Sequence, residues 1–370
     1  MIMKRILPLL LFGLCLMPAA SFAQEVFDEY IEGEVTQVLE TTYPIVFGQE
    51  IEFQNLEVKL EDGSLIQNVF NDYTPLRPGA TVFLSLGFDP ETEQEGYFVR
   101  EIDRTGVLFI MLGFFVLVYV LITGMLGVRS LIALGISILA IVFVLLPLVI
   151  AGFSPLLVSL LVSAVILALA IFITHKFSVL SVASYFGSLI AVAAALLFAV
   201  VIYSLGDISG LVGDEASTLI VLYGASLDVG QLVLATMIIG VLGVLDDVSV
   251  VQAGLVRELV RTKSLTDKEV FIRALKVGRE HAASLVNTLV LAYVSVSLPL
   301  LLILNAPAVG QIPTPLRMDV SNELFAIELI RSITGSLGLV LAIPLVTYIA
   351  LVLYKRYPPV GESDVHVHVH

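Results

Sequence analysis

Residues 106–126 read GVLFIMLGFFVLVYVLITGML, twenty-one residues without a charge. At 1.5 Å per residue a helix of that length is roughly 30 Å long, the thickness of a bilayer's hydrocarbon core. Comparable stretches follow at 131–151, 156–174, 182–205, 231–253, 283–304 and 333–354, so about seven spans are expected. Composition agrees. Of 370 residues, 58% are apolar and 14% charged, and mean hydropathy is +1.00, whereas a soluble chain carries about 25% charged residues. A net charge of −14 argues against nucleic-acid binding, which needs clustered Lys and Arg to meet phosphates.

Working back toward the start, the first 23 residues read as an export signal. Lys4 and Arg5 form a basic start, Ile6 to Met17 an apolar middle, and Ser21-Phe22-Ala23 a small-x-small cleavage site. Residue 24 is then outside the cytoplasm. The single cysteine, Cys15, lies within this segment, and Leu14 before it speaks against a lipoprotein signal. A mature chain would hold no thiol, no disulfide and no cysteine-ligated metal; neither metal nor cofactor is expected.

Residues 24–104 form a separate domain. Apolar alternation recurs over Tyr30–Leu39, Ile51–Leu60, Leu65–Phe70, Thr81–Leu86 and Gly96–Ile102, divided by turn residues that include Asp62-Gly63, a hairpin signal. Five short strands suit a small barrel of the OB or SH3-like kind. This stretch carries 18 Asp or Glu against 4 Lys or Arg. Such a face could attract cations or a partner, although solubility beside a membrane accounts for it more simply.

The positive-inside rule orients the helical domain, residues 105–356. With residue 24 outside, Arg129, His175, Lys176 and the basic loop from Arg257 to Arg279 all fall inside, and Lys355 and Arg356 lead into a cytoplasmic tail, 357–370. The acidic, glycine-containing loop 206–215 falls outside. Residues 217–229 are too short for an eighth span and read as an interfacial or re-entrant segment. Asn322–Ser332 reads as an amphipathic approach to the last span. The expected fold is a polytopic α-helical membrane bundle with an N-terminal extracytoplasmic β-barrel-like domain, in the cell (inner) membrane.

Polar residues within spans are costly and therefore informative. A turn of 100° per residue puts Thr236, Gly240, Gly243, Asp247 and Gly254 on one side of the fifth span. Asp246 lies about 100° away, with Ser249 and Gln252 continuing round that flank. Ser284, Asn287, Thr288 and Ser295 share a face on the next span. Glu328, Arg331, Ser332, Gly335 and Ala342 share one on the last, where Glu328 and Arg331 are spaced to pair. Three such faces suggest a polar interior built from Asp246, Asp247, Asn287, Thr288, Glu328 and Arg331, with Gly240, Gly243, Gly254 and Gly335 as helix-packing positions. Packing alone is the favoured account of the glycines and hydroxyls, whereas packing rarely calls for carboxylates such as Asp246 and Asp247. No Walker loop, HExxH, GxSxG or zinc-spaced cysteines occur, two adjacent aspartates on one helix are a poor aspartyl-protease pair, and the Val–His tail from Val365 to His370 is weak as a metal site. No catalytic residue is assigned, and no enzyme is expected.

Gly240-Val-Leu-Gly-Val-Leu-Asp-Asp-Val-Ser249 resembles the central motif of the YibE/F-like membrane proteins. Val277-Gly-Arg-Glu-His281 with Asn287-Thr-Leu-Val-Leu-Ala-Tyr293 and Leu298-Pro-Leu300 is similar to the family's next block. Asn322-Glu323, Ile327-Glu-Leu-Ile-Arg-Ser332, Gly335-Ser-Leu-Gly338 and Ala342-Ile-Pro344 resemble its third. Asp246 and Asp247 both fit the motif's aspartate, and the place after two glycines favours Asp247. The resemblance runs from signal to final span and implies an integral membrane protein with an extracytoplasmic domain, without an activity. From the residues themselves, the leading expectation is a permease-like transporter of a small solute or ion. The alternative is a non-catalytic module that recruits or stabilises partner proteins through its outer domain. Expected partners are the lipid bilayer, the solute, and a protein partner or second copy of the chain.

Overall fold

The computed structural model describes residues 30–46, 48–89, 94–224, 227–262, 264–305, 318 and 321–359. The export signal at 1–23 and the tail from Val365 to His370 lie outside them. The chain divides into two compact units, Met1–Gly124 and Met125–His370.

The first unit is built on a closed five-stranded barrel. Its strands are β1 (Ile31–Thr42), β4 (Phe53–Leu60), β5 (Leu65–Asn71), β6 (Thr81–Asp89) and β7 (Gln94–Ile102), arranged in the order β1-β4-β5-β7-β6. A small extra hairpin, β2 (Ile45–Val46) with β3 (Gln49–Glu50), interrupts the connection from β1 to β4. Neighbours are antiparallel except β5 and β7, which meet in parallel at Phe70 and Phe98. Closure needs the first and last strands of that order to pair with each other, so that one strand bridges the two ends. That strand is β1: Gly33 is registered against Leu60 on β4 and Val82 on β6. A β-carbon there would lie 2.5 Å from a Val58 methyl, so the crowded crossing requires glycine.

Alternation fills the barrel. Val35, Leu56, Val58, Val69, Val82 and Leu84 are fully buried, and Leu76 from the β5–β6 loop completes the core. The expected Asp62-Gly63 turn is present: Gly63 has φ 86°, and Asp62 accepts from the Ser64 amide at 2.8 Å and its hydroxyl at 2.6 Å. The Ser64 hydroxyl, then its amide, hold the Asp62 carboxyl below the usual carboxylate range. A second polar knot closes one end. The buried Gln54 carbonyl accepts from the Leu76 amide at 2.7 Å and the Asn71 amide at 3.1 Å, while Asn71 also donates to the Thr74 carbonyl at 2.8 Å.

Among the described residues, five helical stretches are long and apolar enough to cross a membrane: Thr105–Ile150, Pro155–His175, Val179–Leu205, Val229–Arg261 and Glu323–Arg356. The first comprises α1 (Thr105–Ala140), a π-helical stretch at Ile141–Leu145, and α2 (Leu146–Ile150). It holds both of the first two predicted spans and is broken inside α1 at Gly124, where φ is 62° and ψ −141°. The others are α3 (Pro155–His175), α4 (Val179–Leu205), α6 (Val229–Arg261) and α9 (Glu323–Arg356). The segment read as interfacial contains the ten-residue α5 (Asp214–Tyr223). The predicted sixth span falls across α7 (Asp267–Val296) and α8 (Leu298–Asn305), which meet at Ser297. Asn322–Ser332 is no separate approach, because α9 runs from Glu323 to Arg356 without interruption.

Helix starts follow local chemistry. Ser154, Ser178, Asp228, Thr266 and Asn322 each cap the helix that follows with a side-chain oxygen, and Thr266 forms a capping box with Glu269. In the second unit α9 packs against α4, α6 and α7, and α6 against α3, α4 and α7. The face of α4 at this junction is Ser181, Ser184, Gly187, Ser188, Ala191, Ala195 and Ala199, all buried. Small residues at this spacing let backbones close up where lipid gives no hydrophobic drive. A β-carbon on Gly187 would lie 2.3 Å from a Val346 methyl and 2.9 Å from its Cα.

The barrel's closure and private core predict that residues 24–104, expressed alone, fold as a soluble monomeric β-protein. Gln54→Leu strands the buried donors of Asn71 and Leu76, and should lower its urea-unfolding stability by about 2 kcal/mol. A disordered circular-dichroism spectrum of the wild-type fragment would contradict the first expectation; an unchanged midpoint for the variant would contradict the second.

Candidate functional site

Helix α6 has two unlike sides. One buries Leu234, Met237, Ile238, Val241, Leu245, Val248, Ser249 and Gln252. The other leaves Thr236, Gly240, Gly243, Asp247 and Val251 exposed. In the single chain the small, polar stripe that contains Asp247, expected to face the bundle, is therefore the less packed side of the helix. The cause is α4. The small-residue face of α4 accepts the apolar side of α6 and anchors it with hydroxyls: Ser184 donates to the Ser249 carbonyl at 3.0 Å, and Ser188 to the Ser249 hydroxyl. Gln252, two turns deeper than Leu245, donates to Thr347 of α9 at 2.7 Å and to the Ala274 carbonyl of α7 at 3.0 Å. The sequence reading missed the α4 serines, whose recurrence at three- and four-residue intervals was the available signal.

The exposed side of α6 forms a lane with distinct ends. At one end stands the predicted pair of α9, in which Arg331 donates to Glu328 at 2.6 Å. Arg331 also donates to Thr236 of α6 at 3.3 Å, joining the two helices. Two atoms of this cluster, Glu328 Oε2 and Arg331 Nε, are buried with no hydrogen-bond partner among the described residues. A buried charged atom left without a partner is costly.

Tyr293 of α7 crosses the lane one turn further along. A β-carbon on Gly240 would lie 2.8 Å from its hydroxyl, and one on Gly335 would lie 3.1 Å from a Leu289 methyl and 3.7 Å from the Tyr293 ring. Gly240 and Gly335 thus both stand at close approaches. Gly243 does not: nothing lies within 4 Å of a β-carbon built there. Gly254 meets only Leu180, at an ordinary 3.7 Å. The close approaches are instead at Gly187, Gly278 and Gly338, the last two against Gln252 with Ile343 and against Val241 respectively.

Asp247 stands at the other end of the lane, exposed and within electrostatic reach of His175 at the end of α3. Asp246, half-buried on the flank, has one carboxylate oxygen buried without a partner among the described residues. From Thr236 to Asp247 is 11 residues, about 17 Å of helix, so the lane covers roughly half of a ~30 Å membrane core. Asn287 and Thr288 do not join it: both are exposed on α7, and Thr288 donates to its own Ser284 carbonyl at 3.2 Å. Of the six residues expected to share an interior, the structure joins only Glu328 and Arg331 directly.

The loop at the cap end of α6 is held rigidly. One oxygen of Glu323 accepts from the Ser209 amide at 2.7 Å, its hydroxyl at 2.8 Å and the Gly210 amide at 2.7 Å. Gly210 has φ 73°, and Gly210 and Gly230 both back onto the Tyr203 hydroxyl, at 3.0 and 2.6 Å from where β-carbons would stand. Chemically, the lane offers a guanidinium–carboxylate pair with spare valence, a phenol, an open glycine floor and two carboxylates. These are groups that bind and release a small polar or charged species.

No curated protein and no solved structure matches this chain. The family model described as YibE/F-like protein matches residues 111–356, which takes in α6, α7, α9 and every residue of the lane and leaves the barrel outside. With three ordered sequence blocks falling on the helices that build the site, the chain belongs to the YibE/F-like family.

Proposed function

We propose that the helical domain is a permease-like transporter that carries a small solute or ion along the α6 lane. The observation that carries this reading is the open floor at Gly243, set between the Glu328–Arg331–Thr236 cluster and Asp247. Polar side chains at membrane depth face a protein interior or a water-filled path, and a single chain leaves this stripe uncovered. A second copy of the chain closing the open side is part of the proposal. No catalytic role is assigned.

The proposal takes the chain as crossing the inner membrane seven times, after an export signal. A 46-residue helix is about 69 Å long, over twice a ~30 Å core, and the break at Gly124 supports two crossings. The uncharged second half of α7, continued by α8, supplies the sixth. The barrel, whose strand order and parallel β5–β7 pairing fit the five-stranded Greek-key barrels of the OB kind, is then extracytoplasmic, and the C-terminus cytoplasmic. A second reading, a module that recruits or stabilises partners through the outer domain, draws support from the tight α4–α9 contact at Gly187 and the separate acidic barrel.

Cysteines placed at Asp72 and Ser264 should label from opposite faces of the membrane, residue 72 from outside. Labelling of both from one face would contradict the seven-crossing topology. For transport, the full-length chain is reconstituted in liposomes and tested with a proton-sensitive dye and a panel of labelled inorganic ions and small metabolites. Gly243→Leu and Asp247→Asn should assemble normally, because neither site is packed, yet cut flux at least tenfold. Gly187→Leu should fail to assemble. Wild-type flux in both lane variants, or no flux of any probe through the wild type, would remove the transport reading and leave the module.

A further inference from the structure

A groove of about 540 Å³ lies between α7 and α9, outside the lane. Leu275, Ala282 and Ile343 give it an apolar wall, and Arg279 and Asn287 are the polar side chains that line it. Pro344 also lines it. Lacking an N–H, Pro344 cannot complete the helical bond to the Val340 carbonyl. Among the described residues no acidic one lines the groove.

Arg279 occupies a boundary. Seven charged residues, Asp267, Lys268, Glu269, Arg273, Lys276, Arg279 and Glu280, crowd the first half of α7, and none follows from Ala282 to Val296. Water must therefore meet hydrocarbon near Arg279, and the groove runs from that point along the uncharged half. Among the described residues Arg279 takes part in no ion pair, and neither do Arg273 and Lys276 of the same helix; of the three, Arg279 is the one that lines the groove. A guanidinium at a headgroup boundary, at the mouth of an apolar trough, is matched to a phosphate with an acyl chain attached. Basic pockets between membrane helices take anionic headgroups for this reason.

We infer that the α7–α9 groove is a binding site for one anionic phospholipid, with an acyl chain along the Leu275–Ile343 wall and the headgroup phosphate on Arg279. This rests on the helices lying in a bilayer and is independent of the transport reading, since the groove and the lane are on different faces. Asn287, expected in a polar interior, belongs instead to this groove.

The test is native mass spectrometry of the full-length protein, exchanged in mild detergent against phosphatidylglycerol and phosphatidylcholine of identical acyl chains. Wild type should retain one phosphatidylglycerol with about fivefold preference, the selectivity one cation near an anionic surface provides. Arg279→Gln should lose the preference. Ala283→Phe, which adds bulk at an exposed groove position without touching the core, should lose retention of both lipids. Lys276→Gln, a cation outside the lining, should behave as wild type. Equal loss in Lys276→Gln and Arg279→Gln would show diffuse attraction rather than a site. Displacement of the lipid by inorganic phosphate alone, or a groove filled by a second chain in dimers without lipid, would likewise overturn the inference.

Discussion

Gly187 on α4 faces Val346 on α9 so closely that a β-carbon would lie 2.3 Å from a valine methyl, and the helical domain is arranged around that approach. In lipid, two apolar surfaces gain nothing by leaving water, so association depends on contact distance and on hydrogen bonds. The run of Ser, Gly and Ala on α4 supplies both. It brings α9 near enough for Gly338 to receive Val241 and Ala195, and it gives Ser249 of α6 two hydroxyl partners. Once α6 is held by that side, its opposite stripe has nowhere to go but outward.

That outward stripe carries groups a membrane helix does not display without cause. Thr236 is tied to the Glu328–Arg331 pair, which satisfies part of its charge and leaves two atoms unused. Breaking such a pair is costly because the remaining charge stays at depth. Gly243 keeps the middle of the stripe low, and Asp247 with His175 marks its far end. The dry contact of α4 with α9 and the open polar stripe of α6 are therefore two consequences of one packing choice, one for stability and one for chemistry.

Much of this was legible in the residues. Uncharged runs of about 20 residues marked the long helices, Asp62-Gly63 marked the β4–β5 turn, and the three-residue spacing of Glu328 and Arg331 marked their pair. The barrel's extra hairpin was not visible, since two-residue strands leave no periodicity to detect. Which side of α6 packs within the chain was not legible for a physical reason: small and polar residues on a membrane helix usually mark its buried face, and α6 has candidates on both sides. Ser249 and Gln252 won because α4 and α9 offered matching partners, information held in other helices. The separation of spans 106–126 and 131–151 was legible, but the form of the break at Gly124 was not, because hydropathy counts side chains and says nothing of a backbone turned to φ 62°.

The central claim is that α6 turns its Thr236–Asp247 stripe to a hydrated path and its Leu245 side to a dry contact. A cysteine scan along α6 in the membrane-embedded, full-length protein tests it, with a water-soluble thiol reagent. Positions 236, 240, 243 and 247 should react at rates well above those of 238, 241, 245 and 248, giving a helical periodicity in labelling. Uniform protection of all eight, or faster reaction at 238, 241, 245 and 248, would contradict it.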